Sequence, residues 1–177
     1  LERVMKRTNI YIFCNKNQLL QYLDFYKDKN IDLLVWYKSN PIPTLNNKYL
    51  SDLEYIVFAR EQSTPMFNTY ETSSKLYQSP TNKTDKDLYD HPTIKPQELI
   101  ERYILNSSQE GDVVLDCFLG SGTTTAAAKK LGRQYIGIEK FKEYFDIAQD
   151  RMNNITQVER RTANAGQLSI WDIDDDT

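Results

Sequence analysis

Between residues 113 and 152 the sequence reads strand, glycine-rich loop, helix, strand, helix, and no other feature limits the fold as much. The apolar run 113–118 (VVLDCF) passes straight into LGSGTTT. A helix follows over 123–131 and is stopped by Gly132. A second strand spans 135–139, and an amphipathic helix over 141–152 places Tyr144, Ile147, Ala148 and Met152 on one face. Such a βαβα unit builds a parallel, doubly wound sheet, because each crossover helix returns the chain in the same direction. Gly120 and Gly122 strip side chains from the turn, so a ligand can approach the backbone beside a helix N-terminus. Glu139 ends the second strand about 20 residues further on, where a carboxylate can accept hydrogen bonds from a ribose diol.

The loop discriminates among nucleoside cofactors. A phosphate-binding P-loop needs a lysine after its last glycine, and none follows Gly122. A dinucleotide fingerprint needs a third glycine at position 125, which is Thr125. Asp116 would repel a pyrophosphate but suits an ammonium group. The hydroxyls of Ser121, Thr123 and Thr124, with the helix N–H groups, suit a carboxylate. An amino acid joined to a ribose satisfies both demands, which points to S-adenosylmethionine.

The rest of the chain is consistent with one soluble α/β domain. Strands are expected over 9–14 (NIYIFC), 31–37 (IDLLVWY) and 54–59 (EYIVFA), with helices over 18–26 and 96–105. Residues 39–51 form a loop rich in proline and asparagine, and 61–92 is the most polar, least patterned stretch. At 177 residues, 40% hydrophobic and 27% charged, the chain can bury a single core. Asp172, Asp174, Asp175 and Asp176 account for the formal charge of −3, so the body is near neutral and charge gives no argument for nucleic acid. Cys14 and Cys117 lie in apolar runs and read as reduced thiols of a cytoplasmic protein. No apolar stretch reaches the roughly 18 residues needed to cross a membrane.

LDCFLGSGTT followed by RQYIGIEKFKEYFDIAQDRM resembles the cofactor motifs of the DNA amino-methyltransferases, which modify exocyclic nitrogens of adenine or cytosine. HPTIKP at 91–96 resembles the family's H-P-T-x-K-P motif, and VWYKSNPIP and EYIVFARE resemble its later structural motifs. Cys117 stands where proline is common, and Ile94 where glutamine is common; neither change removes a needed polar group. The motif order is that of the permuted class in which the catalytic motif comes first. The resemblance implies a Rossmann-like methyltransferase fold over 1–152, followed by a polar, acidic tail over 153–177. It implies S-adenosylmethionine contacts from Asp116, Phe118, Gly120, Ser121, Gly122, Thr123 and Glu139. His91, Thr93 and Lys95 would close over the methionine end, with Pro96 fixing the turn. It implies direct in-line methyl transfer, calling for no metal and no covalent enzyme intermediate.

The family's catalytic tetrapeptide, [D/N/S]-P-P-[Y/F/W], occurs nowhere in this sequence, and NPIP at 40–43 lacks its adjacent prolines and its aromatic residue. No catalytic residue is therefore assigned to this chain. The fold is expected to be incomplete at its N-terminus, lacking two strands that an upstream segment or a second chain would supply. Double-stranded DNA is the implied substrate, in a bacterial or phage-encoded, cytoplasmic setting. Adenine is favoured over cytosine on family frequency alone. The 61–90 region is the expected target-recognition loop, with Lys75, Lys83 and Lys86 as phosphate contacts. In the tail, QLSIW at 167–171 is similar to the short peptides with which bacterial proteins dock on the replication sliding clamp, placing Gln167 to Trp171 as a docking segment. The absent motif equally fits a non-catalytic, degenerate or regulatory binding module. A nicotinamide oxidoreductase is disfavoured by Thr125 and HPTIKP.

Overall fold

The computed structural model describes residues 2–43, 48–81 and 94–155. The chain divides into two compact units, one of residues Leu1–Asp87 with Leu105–Ser108, the other of Leu88–Ile104 with Gln109–Thr177.

The first unit holds a four-stranded sheet. Strand β1 (Asn9–Cys14) leads into helix α1 (Lys16–Phe25), then β2 (Asn30–Lys38), β3 (Leu53–Arg60) and the short β4 (Leu76–Ser79). The order across the sheet is β1-β3-β2-β4. α1 starts where it does because Asn15 and Gln18 cap each other: Asn15 Oδ1 accepts from the amides of Asn17 (2.9 Å) and Gln18 (3.2 Å), and Gln18 Oε1 accepts from the Asn15 amide (3.1 Å). β3 runs antiparallel to both β1 and β2 and lies between them. It has neighbours on both edges, and its central run Ile56, Val57, Phe58 and Ala59 is buried, which is why that stretch is continuously apolar. Tyr11 stacks on its register partner Phe58 with ring centroids 4.2 Å apart. β4 pairs parallel to β2 and is pinned there by Trp36 Nε1, which donates to Ser79 Oγ at 2.9 Å. The end of the second helix belongs to this unit as well: Asn9 Nδ2 donates to Ser107 O (2.9 Å) and Asn106 Nδ2 to Thr72 O (2.9 Å).

The second unit carries the βαβα segment. Helix α2 (Gln97–Ser107) begins here and buries Leu99, Ile100, Tyr103 and Ile104 on one face. It precedes β5 (Val113–Asp116), α3 (Thr123–Lys130), β6 (Gln134–Gly137) and α4 (Lys142–Asn154). β5 and β6 pair in parallel, as the crossover through α3 requires. Ala126, Ala127 and Ala128 are fully buried in α3, which lets that helix pack closely on its neighbours.

The α/β class is borne out, with four differences. Among the described residues two of the four strand pairings are antiparallel, because β3 inserts between β1 and β2 instead of following a crossover helix. β5 and β6 are shorter than expected, ending at Asp116 and Gly137. β4 and a 3-10 turn at Glu71–Ser73 lie inside the 61–90 stretch that carried no strand expectation. The last helix runs to Asn154, just into the expected tail.

Candidate functional site

The β5–α3 loop is built by backbone geometry. Pairing of the two strands continues past their ends, with Ile138 N donating to Asp116 O (2.8 Å) and Leu119 N to Ile138 O (3.0 Å). Gly120 (φ 53°) and Gly122 (φ 80°) then occupy left-handed conformations. Gly122 N donates to Leu119 O (3.0 Å), closing the turn, and Gly122 O accepts from Ala126 N (2.9 Å), opening α3. Gly122 is required for space as well: a Cβ there would lie 3.0 Å from Ala148 Cβ and 3.2 Å from Ala148 Cα on α4.

Glu139 fastens this loop. It lies two residues beyond β6 rather than ending it, and its carboxylate reaches back onto the turn. Oε2 accepts from the Gly120 amide at 2.8 Å, and Oε1 accepts from the Phe141 amide at 2.9 Å. Both oxygens of the carboxylate are thus held by backbone amides that fix its orientation beside the turn. Asp116 Oδ1 accepts from the Phe118 amide at 2.9 Å, while the Phe118 ring stands 89% exposed at the loop's tip.

On the helix side Ser121 and Thr123 are buried. Thr123 Oγ1 accepts from Arg151 Nη1 at 3.1 Å, and Arg151 Nη2 donates to Gln97 Oε1 at 2.9 Å. Gln97 opens α2 directly after Lys95 and Pro96; Pro96 is buried, and its carbonyl accepts from Ile100 N at 3.4 Å. Lys95, Pro96, Asp116, Phe118, Gly120, Ser121, Gly122, Thr123 and Glu139 thus fall in one compact unit. Arg151 and Gln97 were not anticipated. A signal existed for Arg151, which is three residues after Ala148 and so falls on the inward face of its helix.

His91, Thr93, Lys83, Lys86 and residues 167–171 lie outside the described residues. Lys75, in the other unit, pairs with Asp32 Oδ1 at 2.5 Å. That ion pair would compete with any phosphate contact.

Residues 1–150 match the DNA methylase family of N6/N4 methyltransferases. Over 137 residues the chain is 39% identical to the type II methyltransferase M2.DpnII of Streptococcus pneumoniae, covering 70% of this chain and 51% of the relative. It is 36% identical over 145 residues to M2.MboI of Moraxella bovis, covering 73% and 52%. The chain therefore spans about half the length of the curated relatives it matches. Its fold is similar to the crystal structure of the M1.HpyAVI–SAM complex, with TM-score 0.71 and 33% identity over 85% of this chain and 76% of that one. The cytosine-N4-specific PvuII DNA methyltransferase shares the fold alone, at TM-score 0.63 and 19% identity over 84% and 60%.

Proposed function

The chain belongs to the DNA methylase family, and on that premise we propose that it is the S-adenosylmethionine-binding part of an enzyme methylating an exocyclic amino group, adenine rather than cytosine, in double-stranded DNA. The observation that carries this reading is the glycine loop held open at the start of α3 by the Glu139 carboxylate.

The residues fit the cofactor's two ends. Glu139, oriented by two backbone donors beside the turn, offers a carboxylate to the ribose hydroxyls. Asp116 offers a negative charge to the ammonium group. The buried Thr123 hydroxyl and the first amides of α3 offer donors to the carboxylate. Phe118 offers an exposed ring to a base. His91, Thr93, Lys95 and Pro96 are proposed to close over the methionine end. When bound, the cofactor supplies a methyl group on a positively charged sulfur. This chain's contribution is to hold and orient that donor.

A strand bearing the catalytic motif, from an upstream segment or a second chain, is proposed to complete the fold. Among the described residues β5 pairs only with β6, and β1 only with β3, so each has an edge with no strand beside it. β5 buries none of its four residues, and Val113, Ile136 and Ile138 are more than half exposed, which is foreign to a central parallel sheet. Asn9 Oδ1, at the start of β1, is buried with no hydrogen-bond partner among the described residues. Lys75, Lys83 and Lys86 are proposed phosphate contacts, and Gln167 to Trp171 a docking segment for the sliding clamp. A second reading, a non-catalytic cofactor-binding module, is favoured by the absence of the proline-rich catalytic tetrapeptide from these 177 residues.

Calorimetric titration of the chain with S-adenosylmethionine tests the proposal, with Asp116→Ala and Glu139→Ala beside it. The expected result is a dissociation constant on the order of micromolar, lost in both variants. A folded chain with no affinity for the cofactor refutes it. Methyl transfer to DNA after addition of the upstream segment separates the enzyme from the module.

A further inference from the structure

One buried cation ties together two parts of the site that are far apart in sequence. Arg151, on the inward face of α4, is only 4% exposed. Its guanidinium donates to Thr123 Oγ1 (3.1 Å), on the first residue of α3, and to Gln97 Oε1 (2.9 Å), on the first residue of α2. Gln97 Nε2 in turn donates to Glu101 Oε1 (2.7 Å), which pairs with Lys130 Nζ at 3.1 Å. The helix that follows Lys95 and Pro96 is thereby bound to the helix that follows the glycine loop.

The chemistry of the Arg151–Thr123 contact is asymmetric. A guanidinium carries five N–H donors and no acceptor, so the threonine oxygen must accept. The hydroxyl hydrogen cannot be spent on Arg151, and no acceptor takes it among the described residues. Thr123 is 8% exposed and stands at the helix start beside amides that lack intrahelical partners. A donor left over in such a place is completed by a negatively charged ligand group.

We propose that Arg151 is a positioning residue for the cofactor's carboxylate: it forces Thr123 to act as a donor toward that group and holds the start of α2 against the start of α3. This rests on the reading that the loop binds S-adenosylmethionine. Arg151 itself does not touch the ligand.

The test titrates the full chain with S-adenosylmethionine and with its decarboxylated analogue, which keeps the sulfonium, ribose and amine but lacks the carboxylate. Arg151→Met and Thr123→Val are each expected to weaken S-adenosylmethionine by about 10- to 100-fold, the worth of a hydrogen bond to a charged group. Both should leave the analogue within about twofold. Thr123→Ser, which keeps the hydroxyl, should restore the preference for the carboxylate. General damage to the fold would weaken both ligands alike. Equal losses on the two, or full carboxylate preference in Thr123→Val, overturn the role of Arg151 while leaving the cofactor reading intact. A folded wild-type chain that binds neither ligand overturns the cofactor reading, and this proposal with it.

Discussion

Gly122 and Gly111 share nearly the same φ, 80° and 86°, but not the same surroundings, and this pair gives a controlled test of how tightly the glycine loop is packed. An alanine at Gly111 would meet nothing within 4 Å. Its cost is the left-handed conformation alone, about 1–2 kcal/mol for an L-residue. An alanine at Gly122 carries the same conformational cost and also drives its Cβ to 3.0 Å from Ala148 Cβ and 3.2 Å from Ala148 Cα. The second of these is backbone, so α4 must move as a body. Overpacking of that kind adds about 1–3 kcal/mol, which puts Gly122→Ala at about 2–5 kcal/mol. Urea unfolding of the two variants beside wild type measures both terms, provided the slopes agree. Because a shift of α4 carries Arg151 with it, cofactor affinity should fall for Gly122→Ala and not for Gly111→Ala. Equal losses of stability at both sites would refute the close approach of loop and helix. No loss at either would refute the left-handed assignments.

Two further outcomes follow from titratable groups in the first unit. The Lys29 ammonium, bonding to Glu61 Oε1 at 3.2 Å, and then the Thr8 amide hold the Glu61 carboxyl below its ordinary value of 4.5. A depressed carboxylate stabilises the fold fully above that ordinary value, and the benefit is lost as pH falls through the lower folded value; Glu61→Gln should flatten the acid side of the wild-type melting curve against pH, and an unchanged slope would dismiss the interaction. Burial, and secondarily the Glu54 charge, push the Cys14 thiol up, whereas Cys117 is partly accessible; a maleimide probe at neutral pH should label Cys117 first, and faster labelling of Cys14 would contradict its burial.

The local parts of this fold were legible in the sequence, and the long-range parts were not. β1 matches its apolar run NIYIFC residue for residue, and the βαβα segment declared itself through the glycine loop and the alternation around it. The four residues of β4 are too few to show a period. Their strand character comes from a parallel partner about 40 residues earlier in the chain and from the Trp36–Ser79 hydrogen bond. The carboxylate at Glu139 could be placed near the loop, yet nothing local says that it bonds the Gly120 amide, since that depends on how the chain turns after β6. Arg151 was hidden by its charge. An arginine in an amphipathic helix ordinarily reads as solvated, and it takes acceptors such as those at Thr123 and Gln97 to make its burial tolerable.

The placement of β3 also has a consequence for how this protein is made. It leaves the ribosome after both β1 and β2, yet it occupies the slot between them. Residues 9–38 can therefore form α1 early, but β1 and β2 have no native strand contact with each other and must wait, apart, for residues 53–60. Closure of that sheet is one non-local event that pairs both edges of a single late strand, and loop-closure entropy must be met before either ladder rewards it. During that interval two apolar strands stand with unpaired edges, so translation speed across residues 39–60 and access to chaperones govern how much chain reaches the native sheet.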